Sequence, residues 1–173
     1  MRRLLGVLAL ATSLVGGASH AEQITHAMGV TEVPDAPQRV VILTNEGTEA
    51  LLALGVTPVG AANSWTGDPW YDHISEAMAG VEPVGKESAV NLELIAALEP
   101  DLILGNKQRH EKVYEQLSAI APTVVSERLR GDWMVNFALY AKALGKEAEG
   151  NAVMETFRVD VAATSAALGS YLE

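Results

Sequence analysis

Residues 91–125, NLELIAALEPDLILGNKQRHEKVYEQLSAIAPTVV, read as helix, strand, loop, helix and strand, and that reading decides the fold. Leu92, Leu94, Ile95 and Leu98 recur at helical spacing up to Pro100. The run 101–105, DLILG, is too short for a helix and is closed by Gly105-Asn106, so it predicts a buried strand. Val113, Leu117 and Ile120 mark a second helix that Pro122 ends, and Thr123-Val124-Val125 opens another β-branched run. Between the first strand and the second helix, residues 106–110, NKQRH, form a loop where an α/β sheet places its ligands, beyond the carboxyl ends of its strands. Two cations and a histidine at that point suggest an anionic ligand.

Working outward toward the N-terminus, RVVILT at 39–44 is a continuous apolar run of the kind found in parallel sheets covered on both faces. Thr44 and Asn45 stand at its exit and join the candidate ligand site on that ground. The exit segment 44–48 leads into a helix over 50–54 that Gly55 caps. Residues 56–62 give the next strand, so two βαβ units predict an α/β fold with a mostly parallel central sheet, flanking helices and right-handed crossovers. Upstream, 24–33 alternates loosely and predicts a small edge hairpin or arm.

Downstream, NSWTGDPWY at 63–71 gathers two tryptophans and a tyrosine in a chain that is only 5% aromatic. Trp65 and Trp70 serve either as a lid on the core or as a wall for a ligand. A short helix is expected over 74–79, then a strand, VEPVG at 81–85, that Pro83 confines to the sheet edge. Asp132 is positioned to N-cap a helix running to Gly145, and 147–173 is helix-prone without a breaker or cap at its end.

The N-terminus reads as a cleavable secretory signal over 1–21: Arg2 and Arg3, an apolar run over 4–15, then Ser19-His20-Ala21 with small residues where a signal peptidase looks. The apolar run falls short of the roughly 20 residues a spanning helix needs. With no cysteine in the chain, a lipid-modified N-terminus and disulfides are both read as excluded, so a soluble periplasmic protein that is not a lipoprotein is expected. The net charge of −10 argues against nucleic acid as a partner. Against that acidic balance, the positive clusters at 107–110 and 128–130 stand out from a generic solvated surface. The length suits one domain with an ordinary core.

Catalytic signals are missing. His26, His73 and His110 lack HxxxH or HExxH spacing, no carboxylate cluster with metal-ligand spacing occurs, and GxSxG, P-loop and GxGxxG motifs are all absent. No catalytic residue, metal or resident cofactor is expected. Binding chemistry is better represented. Lys86, Arg109, Arg128 and Arg130 all follow predicted strands, so a parallel sheet brings them to one rim, and the planar fork of arginine suits carboxylates. Any one of them alone reads as a surface cation paired with Glu111 or Glu127; several together read as a site.

The stretches RVVILTNEGTEALLALGVTPVG, NLELIAALEPDLILGNKQRHEKVYEQLSAIAPTVV and RGDWMVNFALYAKALGK resemble the N-terminal lobe of iron-siderophore substrate-binding proteins of ABC importers. Within these they are most similar to the branch that takes ferric citrate and citrate-based siderophores such as schizokinen. The resemblance covers essentially all of 24–173. It implies a bilobed monomer whose lobes are joined by one long helix, with a ferric siderophore in the cleft and the iron held only through the siderophore. It also implies docking on a membrane permease through a carboxylate on each lobe, here Glu93, with Glu49 as second candidate; Glu93 read alone is an exposed residue near a helix N-terminus. Arg109 and Lys86 match positions that contact the anionic ligand in such proteins. The implied division is a signal at 1–21, a binding lobe at 22–146 and the beginning of an inter-lobe helix at 147–173, with the second lobe missing. Rival ligands are haem and cobalamin. A stand-alone periplasmic sensor or interaction module is the rival of another class, and a small periplasmic hydrolase, needing His110 beside a carboxylate and a metal, comes third.

Overall fold

The structure is a computed structural model and describes residues 21–169. The expected secretory signal therefore lies outside the described residues, except for Ala21. The first element is an antiparallel hairpin, β1 (Ala21–His26) and β2 (Gly29–Pro34), turned at Gly29, whose φ of +130° favours glycine. Ile24 and Val33 anchor this arm in the core, as the loose alternation predicts.

The sheet follows from the apolar runs. β3 (Val40–Ile42), β4 (Gly60–Asn63), β5 (Glu82–Lys86), β6 (Ala89–Val90), β7 (Leu102–Asn106) and β8 (Thr123–Ser126) form one sheet in the order β6-β5-β4-β3-β7-β8. All neighbours are parallel except β5 and β6. The arm covers the β8 side: Ala27 N–H donates to Val125 O, and Thr31 Oγ1 donates to Thr123 O. This removes an open edge that would otherwise offer unpaired backbone groups.

Because successive strand residues face opposite ways, the run at 40–43 supplies two cores at once. Val40 and Ile42 join Leu51, Phe137, Tyr140 and Met154 on one face. Val41 and Leu43 join Ile95, Leu117 and Ala121 on the other. The first face is covered by α1 (Asn45–Ala53), α5 (Trp133–Ala143) and the start of α6 (Glu147–Gly169), the second by α2 (Leu92–Ala97) and α4 (Tyr114–Ile120).

Local expectations change in five places. α1 starts at Asn45, not near Ala50, because Thr44 caps it, its Oγ1 accepting from Gly47 N–H at 3.1 Å. The ladder of β4 begins at Gly60, after Pro58, which has no N–H to give. Segment 74–79 is a series of turns: Ile74 N–H, Ala79 N–H and Val81 N–H each reach back three residues, and only Met78 N–H reaches back four. Its buried Ile74 and Met78 imitate a helical face. β5 is not the outermost strand, yet β6 pairs only with its Gly85 and Lys86, so Pro83 still lies where no outer strand needs its N–H. Finally, the loop 106–110 is a helical turn, α3 (Lys107–His110), capped by Asn106 and followed by a 3-10 turn Glu111–Val113.

Candidate functional site

The exits of β3, β4, β7 and β8, together with the β5–β6 turn, meet at one rim. Two adjoining cavities open there, one of about 520 Å³ and one of about 190 Å³, and both are lined by Trp65, Glu87 and Arg109. Lys86 and Asn63 line the larger; Asn45 and Arg130 line the smaller. The rim thus brings together Lys86, Arg109, Arg130, Trp65 and Asn45, five of the seven candidate ligand residues.

These cations differ in how far they are committed. Arg109, 35% exposed at its side chain, makes an ion pair through Nε with Glu87 Oε2 at 3.6 Å, too long for a hydrogen bond. Among the described residues, Lys86 Nζ has no ion pair. The Arg130 guanidinium lies 5.8 Å from the centre of the exposed Trp65 ring, while its backbone N–H donates to Glu46 Oε2. Arg130 itself sits at a φ of +70°. The aromatic cluster is therefore divided: Trp70 is buried in the core, and Trp65 stands in the cleft wall with a cation over it.

Arg128 and Thr44 are not brought to the cavities. Arg128 donates from Nε to Asp132 Oδ2 at 2.9 Å and lines a separate cavity with Gln108 and Leu129. That contact also occupies the carboxylate expected to cap α5: Asp132 holds the N-cap position but makes no capping hydrogen bond with its side chain. Thr44 is fully buried, so its hydroxyl supports α1 and not a ligand.

Glu87 is the residue that sequence reading passed over. It sits in the two-residue turn between β5 and β6, yet its side chain is only 7% exposed. Its Oε1 accepts from Asn45 N–H at 2.6 Å and from Asn45 Nδ2 at 3.1 Å, at the positive N-terminal end of α1. Its carbonyl accepts from His110 Nε2 at 3.0 Å. The available signal was an acid directly after Lys86 at a strand exit, the place where the candidate cations gather.

His110 braces this arrangement. Its Nδ1 accepts from Asn106 N–H at 3.1 Å, which leaves the proton on Nε2 and makes the ring neutral. Burial pushes its pKa below 6.5, with the bond to the Glu87 backbone opposing. A side chain at Gly105 would meet His110 Nδ1 at 2.9 Å, so the glycine that closes the strand makes room for the ring. Below it, Tyr140 Oη donates to Gly105 O and pairs with Ser126 Oγ, its pKa pushed up to about 12 by burial. Both ring nitrogens of His110 are thus spent on backbone groups, not on a carboxylate. Among the described residues no three His, Cys, Asp or Glu side chains gather as a metal group.

The two docking candidates stand apart. Glu93 is exposed in the first turn of α2, the helix that covers the sheet face where Ile95 is buried. Glu49 lies on α1, on the opposite face, paired with His73 Nε2 at 3.0 Å beside an apolar groove of about 300 Å³.

Comparison with known proteins adds the family. A family model described as periplasmic binding protein matches residues 40–170. The probable siderophore-binding lipoprotein YfiY of Bacillus subtilis (strain 168) is 55% identical over 140 residues, covering 80% of this chain and 43% of that protein. The Fe(3+)-citrate-binding protein YfmC of the same organism is 35% identical over 167 residues, covering 85% and 52%. The crystal structure of Staphylococcus aureus SirA complexed with staphyloferrin B superposes with a TM-score of 0.79 at 44% identity, covering 82% of this chain and 48% of that one. The chain spans about half the length of these relatives. One expectation is corrected by them. YfiY and a second Bacillus subtilis relative are named lipoproteins, so the reading of a protein that is not a lipoprotein does not stand. With residues 40–170 matched, and the sheet and rim arranged as described, this chain belongs to the periplasmic binding protein family, a family of substrate-binding proteins, which are not enzymes.

Proposed function

We propose that the chain is the ligand-reading lobe of a substrate-binding protein serving an ABC importer, and that it takes a ferric siderophore of citrate type bearing carboxylate or hydroxamate groups. The observation that carries this reading is the meeting of Lys86, Arg109 and Arg130 with Trp65 at one cleft, in a chain of net charge −10. An anionic chelate supplies the charge that these side chains lack, and a guanidinium fork grips a carboxylate in two parallel bonds. The names of YfiY and YfmC and the staphyloferrin B bound to SirA support the ligand class.

On this reading residues 22–146 form the lobe and 147–173 begin the inter-lobe helix. The protein acts as a monomer and performs no chemistry, its iron arriving already chelated. Glu93 is the docking carboxylate for a permease, with Glu49 second. The test is a tryptophan fluorescence titration of the chain with ferric citrate and with ferric schizokinen. Trp65, 59% exposed at the cleft, is expected to be quenched by at least one of them. No saturable change with either overturns the reading.

A further inference from the structure

The guanidinium of Arg109 forms no hydrogen bond within the described residues, and its one ion pair runs through Nε to Glu87 Oε2. Glu87 is fixed from two other directions, by the two Asn45 N–H groups on Oε1 and by His110 on its carbonyl. A carboxylate buried to this degree keeps its charge only beside a compensating cation. Around it the floor of the cleft is rich in acceptors: Glu87 Oε2, Asn45 Oδ1 and Asn63 Oδ1 are all buried without a hydrogen-bond donor. Such a floor draws a cation down onto itself, and the guanidinium that pairs with it is that of Arg109.

We infer that Glu87 is a positioning residue of the ligand site: a buried carboxylate that holds Arg109 by its Nε edge and presents the Nη edge to the cleft. An incoming carboxylate then completes a sandwich, with the guanidinium between a fixed internal acid and the ligand. The arrangement explains why an acid is retained inside a site for anions. Without Glu87, Arg109 carries the same charge but explores many rotamers, and each binding event must first order it. The preference this creates is for a planar carboxylate that can take both Nη–H groups over an anion that takes one. The consequence for affinity rests on the siderophore reading above, whereas the positioning itself does not.

Two measurements separate these levels. In the unliganded chain, the Arg109 Nε–H resonance, assigned by its loss in Arg109→Lys, is expected to report a restricted side chain by nitrogen relaxation in the wild type and a mobile one in Glu87→Gln. A resonance unchanged in Glu87→Gln overturns the proposal whatever the ligand. In the liganded arm, ferric citrate is titrated into the wild type, Glu87→Gln, Arg109→Gln and the double variant. Glu87→Gln is expected to weaken binding about tenfold in the wild-type background and by less than twofold in the Arg109→Gln background, the coupling that a pair acting as a unit requires. Equal losses in both backgrounds, or tighter binding by Glu87→Gln, overturn it, because a merely structural or merely repulsive acid gives those results. The same cycle with Glu87→Asp, which keeps the charge buried, serves if Glu87→Gln does not fold. If the wild type ignores ferric citrate, it is the ligand reading that falls, and the resonance still decides the positioning.

Discussion

The exits of β7 and β8 are neighbours, both carry arginine, and they treat it in opposite ways. At the β7 exit Asn106 caps α3 with Oδ1, reaches Ser126 Oγ with Nδ2, and gives its N–H to the buried ring of His110. The acid facing Arg109 comes from the β5–β6 turn and is anchored elsewhere. At the β8 exit Arg128 and Asp132 are four residues apart on the surface and consume each other, and α5 loses its side-chain cap. A cation is thus left for a ligand where its acid is buried and tied to other groups. Where the acid is local and solvated, the pair closes on itself.

The sharpest way to break this comparison is to remove each arginine in turn. Arg109→Ala is expected to weaken ferric citrate binding by about 1.5–3 kcal/mol, the worth of a charge-assisted contact, read by fluorescence titration. Arg128→Ala is expected to stay within a few tenths of a kcal/mol, as a contact outside the cavities should. Equal losses at the two positions would end the distinction between the exits. The next largest effect concerns the support beneath Arg109. Asn106→Ala removes a helix cap and takes the Nδ2 donor from buried Ser126, while the backbone N–H to His110 stays, so urea unfolding should show a loss of about 1–3 kcal/mol. A loss below about 0.5 kcal/mol would mean that the β7 exit is no better built than its neighbour.

The bracing histidine gives the comparison a pH signature. Burial lowers the pKa of His110 from 6.5 in the folded state, and burial lowers that of His26 in the same direction. Below pH 6.5 the unfolded chain therefore binds protons that the folded chain refuses, and stability falls as pH falls. Each histidine contributes a slope of at most about 1.4 kcal/mol per pH unit until its own folded pKa is reached. Below that point His110 takes a proton on Nδ1 and Asn106 N–H loses its acceptor. Urea midpoints collected from pH 7 to pH 5 should fall in the wild type and fall less in His110→Asn; parallel curves would show that the ring is not the group being titrated.

Much of this was readable from residue order. The runs at 39–44 and 101–105 gave the parallel sheet, because only a strand covered on both faces tolerates unbroken apolar sequence, and strand exits gave Lys86, Arg109 and Arg130. What could not be read was which partner each polar group takes. Thr44 and Asp132 are both short acceptors ahead of a helix; one caps and the other does not, and the difference lies in an arginine four residues upstream of Asp132. Glu87 is local in sequence to Lys86, but the groups it serves, Asn45 and Arg109, are distant in the chain. Its role exists only once the strands have brought three exits together.

The smallest expected effect tests the surface side of the comparison alone. In Arg128→Ala the ion pair with Asp132 is lost, which for a pair with side chains 66% and 34% exposed is worth little. The freed Asp132 carboxylate can then turn to the first-turn N–H groups of α5, and an aspartate cap typically contributes about 1 kcal/mol. The two changes have opposite signs. Asp132 lies at φ −100° and ψ +18°, away from the extended conformation a capping residue prefers, so only part of the cap is recovered. The net change in urea-unfolding stability is expected to stay within about 0.5 kcal/mol of wild type, while Asp132→Ala, which can make neither contact, should fall below Arg128→Ala. If the two variants are equally stable, the ion pair and not the unmade cap organises the β8 exit, and the two exits differ less than their geometry suggests.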